Sequence, residues 1–206
     1  MKKALVRLIE SWLEFEEKYP GHDEEAFYRF MTRISRRSPP REEPRDNQIG
    51  RLARVVGRLA SAYGFYHRAA MKNAGLPAHD SFFYLNVLNQ LGEVNKSELI
   101  NYLLVETTTG MEAINKLKGS DLVSERQDPK DKRAKLIRIS EKGTQKLKAS
   151  MANARKVNEM LFKDMDSVAL SMCLQILEPV EEFHTKESVA VRQLPFKEMA
   201  DRILNK

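Results

Sequence analysis

Two short stretches carry side chains with usable chemistry. The first is Thr107-Thr108-Thr109, followed on the same segment by Glu112, Asn115 and Lys116. Hydroxyls can bond phosphate or cap a helix start, a threonine methyl can meet a thymine methyl, and a carboxamide can pair with an adenine edge. The second is Lys130-Asp131-Lys132-Arg133, with Lys135 and Arg138 close behind. Lysine offers a point charge for phosphate, whereas the planar guanidinium of Arg133 suits a narrow groove of concentrated negative potential. Each has a plainer reading. At least one threonine is expected to cap, Asn115 and Lys116 fit solvated surface equally well, and a run of charges at a hairpin tip is usually a solvated turn.

Other chemistries lack their residues. His22, His67, His79 and His184 are scattered without ligand spacing, which makes a metal centre a minority reading. Cys173 sits in an apolar segment and reads as a buried packing residue rather than a redox sensor. The chain has no phosphate loop, no nucleophile elbow and no defensible pair of carboxylates, so an enzyme ranks far down and no cofactor is expected. A single cysteine excludes an intrachain disulfide framework and suits a reducing cytoplasm. No apolar run reaches membrane-spanning length, and the N-terminal apolar residues are interrupted by Arg7 and Glu10, against a signal peptide. A cytoplasmic protein without a membrane partner is the expectation.

The 206 residues can bury a core in one domain or two coupled ones. The net charge of +6 suits a polyanionic partner without proving one, and its distribution says more. Residues 126–148 hold nine Lys or Arg against three Asp or Glu, which accounts for the whole excess.

The elements around the two stretches follow from spacing. Asn95 with Glu98 three residues on is a capping pattern, and it opens a helix with Leu99, Tyr102 and Leu103 as its apolar stripe. A second helix starts near Thr107 or Thr108, with Met111, Ile114 and Leu117 on one side. Two helices so briefly connected form a helix-turn-helix, whose second member can enter a DNA major groove. Leu122-Val123 and residues 136–139 have strand character, and Asp128-Pro129 marks the turn between them. Helix-turn-helix plus hairpin is a winged helix.

At these residues the chain resembles the MarR family of bacterial transcriptional regulators. The resemblance runs from GLPAHDSFFYLNVLNQL through KSELINYLLVETTTGMEAINKLKGSDLVSERQDPKDKRAKLIRISEKG, and DPKDKRAKLIRISEKG is its most specific part. Three departures stand out: Asp121 where a Gly usually ends the recognition helix, Lys132 in place of Arg, and a long N-terminal segment. The resemblance implies double-stranded DNA as partner, a homodimer built from interlocked first and last helices, and a repressor of a near-palindromic operator. It implies that Arg133 enters or flanks the minor groove, oriented by Asp131. It also implies a cleft for a small aromatic effector, for which Tyr63, Tyr66, His67 and Phe83 are candidates, plain core being the alternative for each. The rival function is a winged helix used only for protein–protein contact.

The remaining chain completes a mainly α fold with a small β-wing, a winged helix-turn-helix with N- and C-terminal helical dimerisation regions. Residues 1–47 read as a helical extension with a proline-rich linker, 48–74 as a long joining helix, 75–146 as the winged domain and 147–206 as C-terminal dimerisation helices. Ala53, Gly57, Ala60 and Gly64 make a small-residue stripe on the long helix, readable as close helix approach or as simple tolerance. Ser140 is a natural cap for the helix after the wing, Asp166 for the next, and Pro179 should kink that one late.

Overall fold

The computed structural model describes residues 2–36, 44–129, 131 and 134–205. In order, these form α1 (Lys2–Lys18), α2 (Glu24–Arg36), α3 (Arg45–Met71), α4 (Ser81–Leu91), β1 (Val94–Asn95), α5 (Lys96–Tyr102), α6 (Thr107–Gly119), β2 (Val123–Gln127), β3 (Lys135–Ile139), α7 (Glu141–Phe162), α8 (Ser167–Val191) and α9 (Phe196–Leu204). The chain divides into two compact units, one of Met1–Val56 with Asp164–Val180, the other of Gly57–Lys163 with Glu181–Lys206.

The second unit contains the winged helix. Its core is Leu85 and Leu88 of α4, Leu99 and Ile100 of α5, Ile114 and Leu117 of α6, Leu122, and Ile137 of β3, all buried, with Leu147 and Ala154 of α7 against them. Helix α4 is therefore central, as its apolar composition predicts, although Leu91 at its end is exposed. Antiparallel strands β2 and β3 pair from Val123↔Ile139 to Gln127↔Lys135, forming the wing. The short β1 completes the sheet in the order β1-β3-β2, pairing Val94 with Ile137. A two-residue strand has no periodicity, so nothing in the sequence announced it.

Local chemistry sets the helix ends. Asn95 Oδ1 accepts the Glu98 N–H at 2.8 Å, and Ser140 Oγ accepts the Gly143 N–H at 2.9 Å, both at the expected caps. Gly143 is required at its position. A Cβ there would lie 2.1 Å from the Leu122 carbonyl oxygen, so helix α7 starts flush against the backbone that leads into the wing. The stripe of α5 differs from expectation. Leu99 and Ile100 are buried and Tyr102 is exposed, because α6 crosses α5 closely at Ile100.

In the first unit, Phe15 and Tyr19 of α1, Phe27 of α2 and Val168 of α8 form a separate buried cluster, with Trp12, Phe30 and Met172 packed on it. Trp12 and Phe15 meet Phe27 at ring-centroid distances of 4.8 and 5.3 Å. Asp23 Oδ1 caps α2 through the Ala26 N–H, and Asp166 Oδ1 caps α8 through the Ala169 N–H, both at 2.9 Å. Helix α3 begins at Arg45, three residues earlier than its apolar pattern suggests, because Pro44 can start a helix and its carbonyl accepts the Asn47 N–H. Residues 37–43 of the expected linker lie outside the described residues.

One further expectation is corrected. Cys173 is exposed rather than buried, because its face of α8 is left uncovered in the single chain. Among the described residues, nothing lies within 4 Å of a Cβ built at Gly57 or Gly64 of the small-residue stripe. Helix α8 continues through Pro179 to Val191, and the later amphipathic residues form α9.

Candidate nucleic-acid interface

Helix α6 divides cleanly by face. Gly110, Ala113, Ile114 and Leu117 are buried, and Thr107, Thr108, Thr109, Glu112, Asn115 and Lys116 are exposed. The buried face is held close. A Cβ on Gly110 would meet Ile100 Cγ1 at 2.5 Å, so only glycine lets α6 cross α5 at this distance. The turn between them is tight, with Leu104 in the left-handed region at φ 51°. Contrary to expectation no threonine holds the N-cap position. Glu106 holds it, without a side-chain cap bond, and the three threonines occupy the first turn itself.

The far end of α6 closes on Asp121, a non-glycine residue at φ 60°. Here the departure from the family's glycine has a local cost. Ser140 Oγ donates to the Asp121 carbonyl oxygen at 2.7 Å, and Lys142 Nζ lies 3.6 Å from its carboxylate.

The wing is tied at its base. The Asp128 N–H donates to the Ala134 carbonyl at 3.1 Å, the Ala134 N–H donates to the Asp131 carbonyl at 3.0 Å, and Gln127 Nε2 donates to the Ala134 carbonyl at 3.0 Å. Asp131 is exposed. Lys130, Lys132 and Arg133 lie outside the described residues. On the strands, Arg126 forms a two-pronged pair with Glu93, its Nε 2.8 Å from Oε1, which draws the Glu93 carboxyl below its ordinary range. Arg138 Nε donates to Ser124 Oγ at 3.2 Å.

Lys135 does not stand alone on its strand. Its Nζ lies 3.3 Å from Oε1 of Glu125, which also receives Lys96 Nζ at 3.1 Å, while Lys118 pairs with Oε2. Three ammoniums from α5, α6 and β3 thus converge on one carboxylate of β2. Hydrogen bonds from Lys118 and then Lys96 hold the Glu125 pKa down at about 2. Sequence reading missed this residue, since a glutamate among strand polars shows no partner until the fold brings Lys96 and Lys118 to it.

Of the four effector candidates, three come together. His67 stacks on Phe83 at 4.3 Å and on Tyr63 at 5.8 Å, while Tyr66 has its ring contact with Phe65. His67 is 1% exposed and neither ring nitrogen has a hydrogen-bond partner. Burial, then the nearby His79, pushes its pKa down, which keeps the ring neutral. Phe82, 5.4 Å from His67, was not anticipated. No group of three His, Cys, Asp or Glu able to hold a metal occurs among the described residues, and no helix there is long and apolar enough to cross a membrane.

A family model described as winged helix DNA-binding domain matches residues 80–143. The HTH-type transcriptional repressor NicR of Pseudomonas putida is 28% identical over 137 residues, covering 65% of this chain and 87% of that protein. The chain is similar to regulators of the MarR family. Solved MarR structures share its fold. A MarR family transcriptional regulator from Listeria monocytogenes complexed with 26mer DNA matches with a TM-score of 0.63 at 23% identity, over 69% of this chain and 94% of that one. BpsR of Bordetella bronchiseptica, whose structure concerns regulation of DNA binding by 6-hydroxynicotinic acid, matches with a TM-score of 0.57 at 18% identity, over 65% and 98%.

Proposed function

We propose that this chain is a transcriptional regulator of the MarR type, a dimeric repressor that grips near-palindromic duplex DNA. The observation that carries the reading is the division of α6, whose buried face is locked on the core while its polar face stays open beside the wing. In this reading Thr107, Thr108 and Thr109 meet phosphates and thymine methyls, Asn115 reads an adenine edge, and Lys116 binds phosphate. The wing supplies Lys130, Lys132 and Arg133, with Arg133 in the minor groove and Asp131 orienting it, and Lys135 adds a backbone contact from β3. Residues 75–146 are the DNA-binding domain. Residues 1–47 are an extension, and 48–74 and 147–206 the helices that pair two copies. Leu52, Val55 and Val56 of α3 and Leu174, Leu177 and Val180 of α8 are exposed in the single chain, which supports a covering partner. A twofold axis would set two copies of α6 roughly 34 Å apart, one turn of DNA. Work on such a target goes with a cytoplasmic location.

A small aromatic acid or phenol is the proposed effector, received at Tyr63, His67 and Phe83 with Tyr66 near the rim. The unpartnered nitrogens of His67 support a ligand that brings its own hydrogen-bonding group.

Selection of bound fragments from a random DNA pool tests the central claim. An inverted repeat should be recovered, and binding should weaken steeply with salt. Arg133→Ala should lower affinity for the recovered repeat by about one to a few kcal/mol. Absence of any enriched duplex, or salt-independent binding, would overturn the reading in favour of a protein-docking module.

A further inference from the structure

We propose that Lys96, Lys118 and Lys135, gathered by Glu125, form a phosphate-binding site for the DNA strand that runs between the major and minor grooves. The proposal rests on the DNA-binding reading above, which already gives Lys135 a backbone contact, and extends it to Lys96, Lys118 and Glu125.

The placement comes from the fold. When α6 lies in a major groove and the wing in the adjacent minor groove, the sugar–phosphate strand dividing those grooves must pass between them. Lys118 is in the last turn of α6, Lys135 is the first residue of β3 at the wing base, and Lys96 is the first residue of α5. Their ammoniums meet at Glu125, whose side chain is only 6% exposed beneath them, while those of Lys118 and Lys135 are about half exposed.

The chemistry leaves the cluster unfilled. Each ammonium carries three donors, and one carboxylate offers about four acceptor sites, so several donors have no place on Glu125. Three positive charges against one negative leave the group net cationic. A phosphodiester oxygen supplies both the missing acceptor and the missing charge. Glu125 has two roles. It holds three flexible side chains in one place, so that less freedom is lost on contact with DNA, and it cancels part of their charge, which restrains attraction to any duplex regardless of sequence.

The test is the salt dependence of binding, read by fluorescence anisotropy between about 50 and 200 mM salt. The probes are a duplex recovered by the selection and a duplex of fixed random sequence. Lys118→Gln and Lys135→Gln should each make the slope of log K against log salt shallower by about 0.9, and by the same amount on both duplexes. Glu125→Gln should tighten binding to the random duplex, reducing the preference for the selected one. Lys186→Gln, which removes an α8 lysine paired with Glu182, serves as control and should leave the slope unchanged. A purely structural cluster predicts otherwise. Lys118→Gln and Lys135→Gln would then lower the melting temperature while keeping the wild-type slope, and this would overturn the proposal. Wild-type protein that binds neither duplex would overturn the DNA-binding reading and this site together. Steep wild-type binding with unchanged variant slopes would remove this site alone.

Discussion

Asp121 holds a left-handed backbone that glycine adopts without strain. Its carboxylate is well exposed and its contact with Lys142 is long, so little is lost with the side chain. Asp121→Gly should therefore stabilise the protein by about 0.5–1 kcal/mol, visible as a higher urea midpoint. Gly143 is the opposite case. Its missing Cβ makes room for a carbonyl oxygen that cannot move without shifting the wing, so Gly143→Ala should cost about 1–3 kcal/mol. Thermal melts of the two variants should move in opposite directions. Glu125 sets an acid limit. Its folded pKa of about 2 lies below the ordinary 4.5, so its contribution is complete above pH 4.5 and is lost as pH falls toward 2. Melting curves of wild type and Glu125→Gln should converge across that window and separate at neutral pH, with wild type the more stable. His67→Phe should keep the stack with Phe83 and remove a buried polar group without partners, so that the melting temperature holds or rises while any response to an aromatic effector disappears.

At the scale of elements, the sequence conveyed most of the winged helix because its signals are local. Asn95 and Ser140 cap within three residues of themselves, and the apolar period of α6 can be read directly. What stayed hidden depends on distant parts of the chain. Ile100, not Tyr102, is buried on α5 because α6 crosses there over Gly110, a contact that spacing along α5 cannot reveal. The partners of Lys135 were equally invisible, since Lys96 lies far from it in the chain and joins it only through Glu125. Glu106 rather than a threonine holds the cap position, which leaves Thr107, Thr108 and Thr109 exposed in the first turn of α6. The element most exposed to damage is α6. Leu117 is fully buried near its C-terminal end, and Leu117→Ala should destabilise by about 2–5 kcal/mol in urea titration, with DNA binding lost in proportion to the unfolded fraction.

The whole molecule leaves apolar side chains in water on α1, α3, α8 and α9, including Phe196 and Leu204 at 82% exposure. A second copy of the chain is the partner the proposed function requires. Sedimentation should give twice the chain mass, and Leu177→Glu with Val180→Glu should give single chains that still fold, since neither residue belongs to a core. Loss of half-site cooperativity on the selected repeat should follow. Arg192 deserves a parallel measurement. Its guanidinium donates to Asn101 Oδ1 at 2.8 Å, joining the segment after α8 to α5 within one unit, and Arg192→Ala should weaken DNA binding without altering the mass.

Cys173 sits in the α8 row with Leu170, Leu177 and Val180, open to solvent in the isolated chain. If two chains close over that row, the thiol becomes a built-in gauge of association. An alkylating reagent would label it at a rate set by the fraction of protein standing apart, slowing as concentration rises and without any engineered probe.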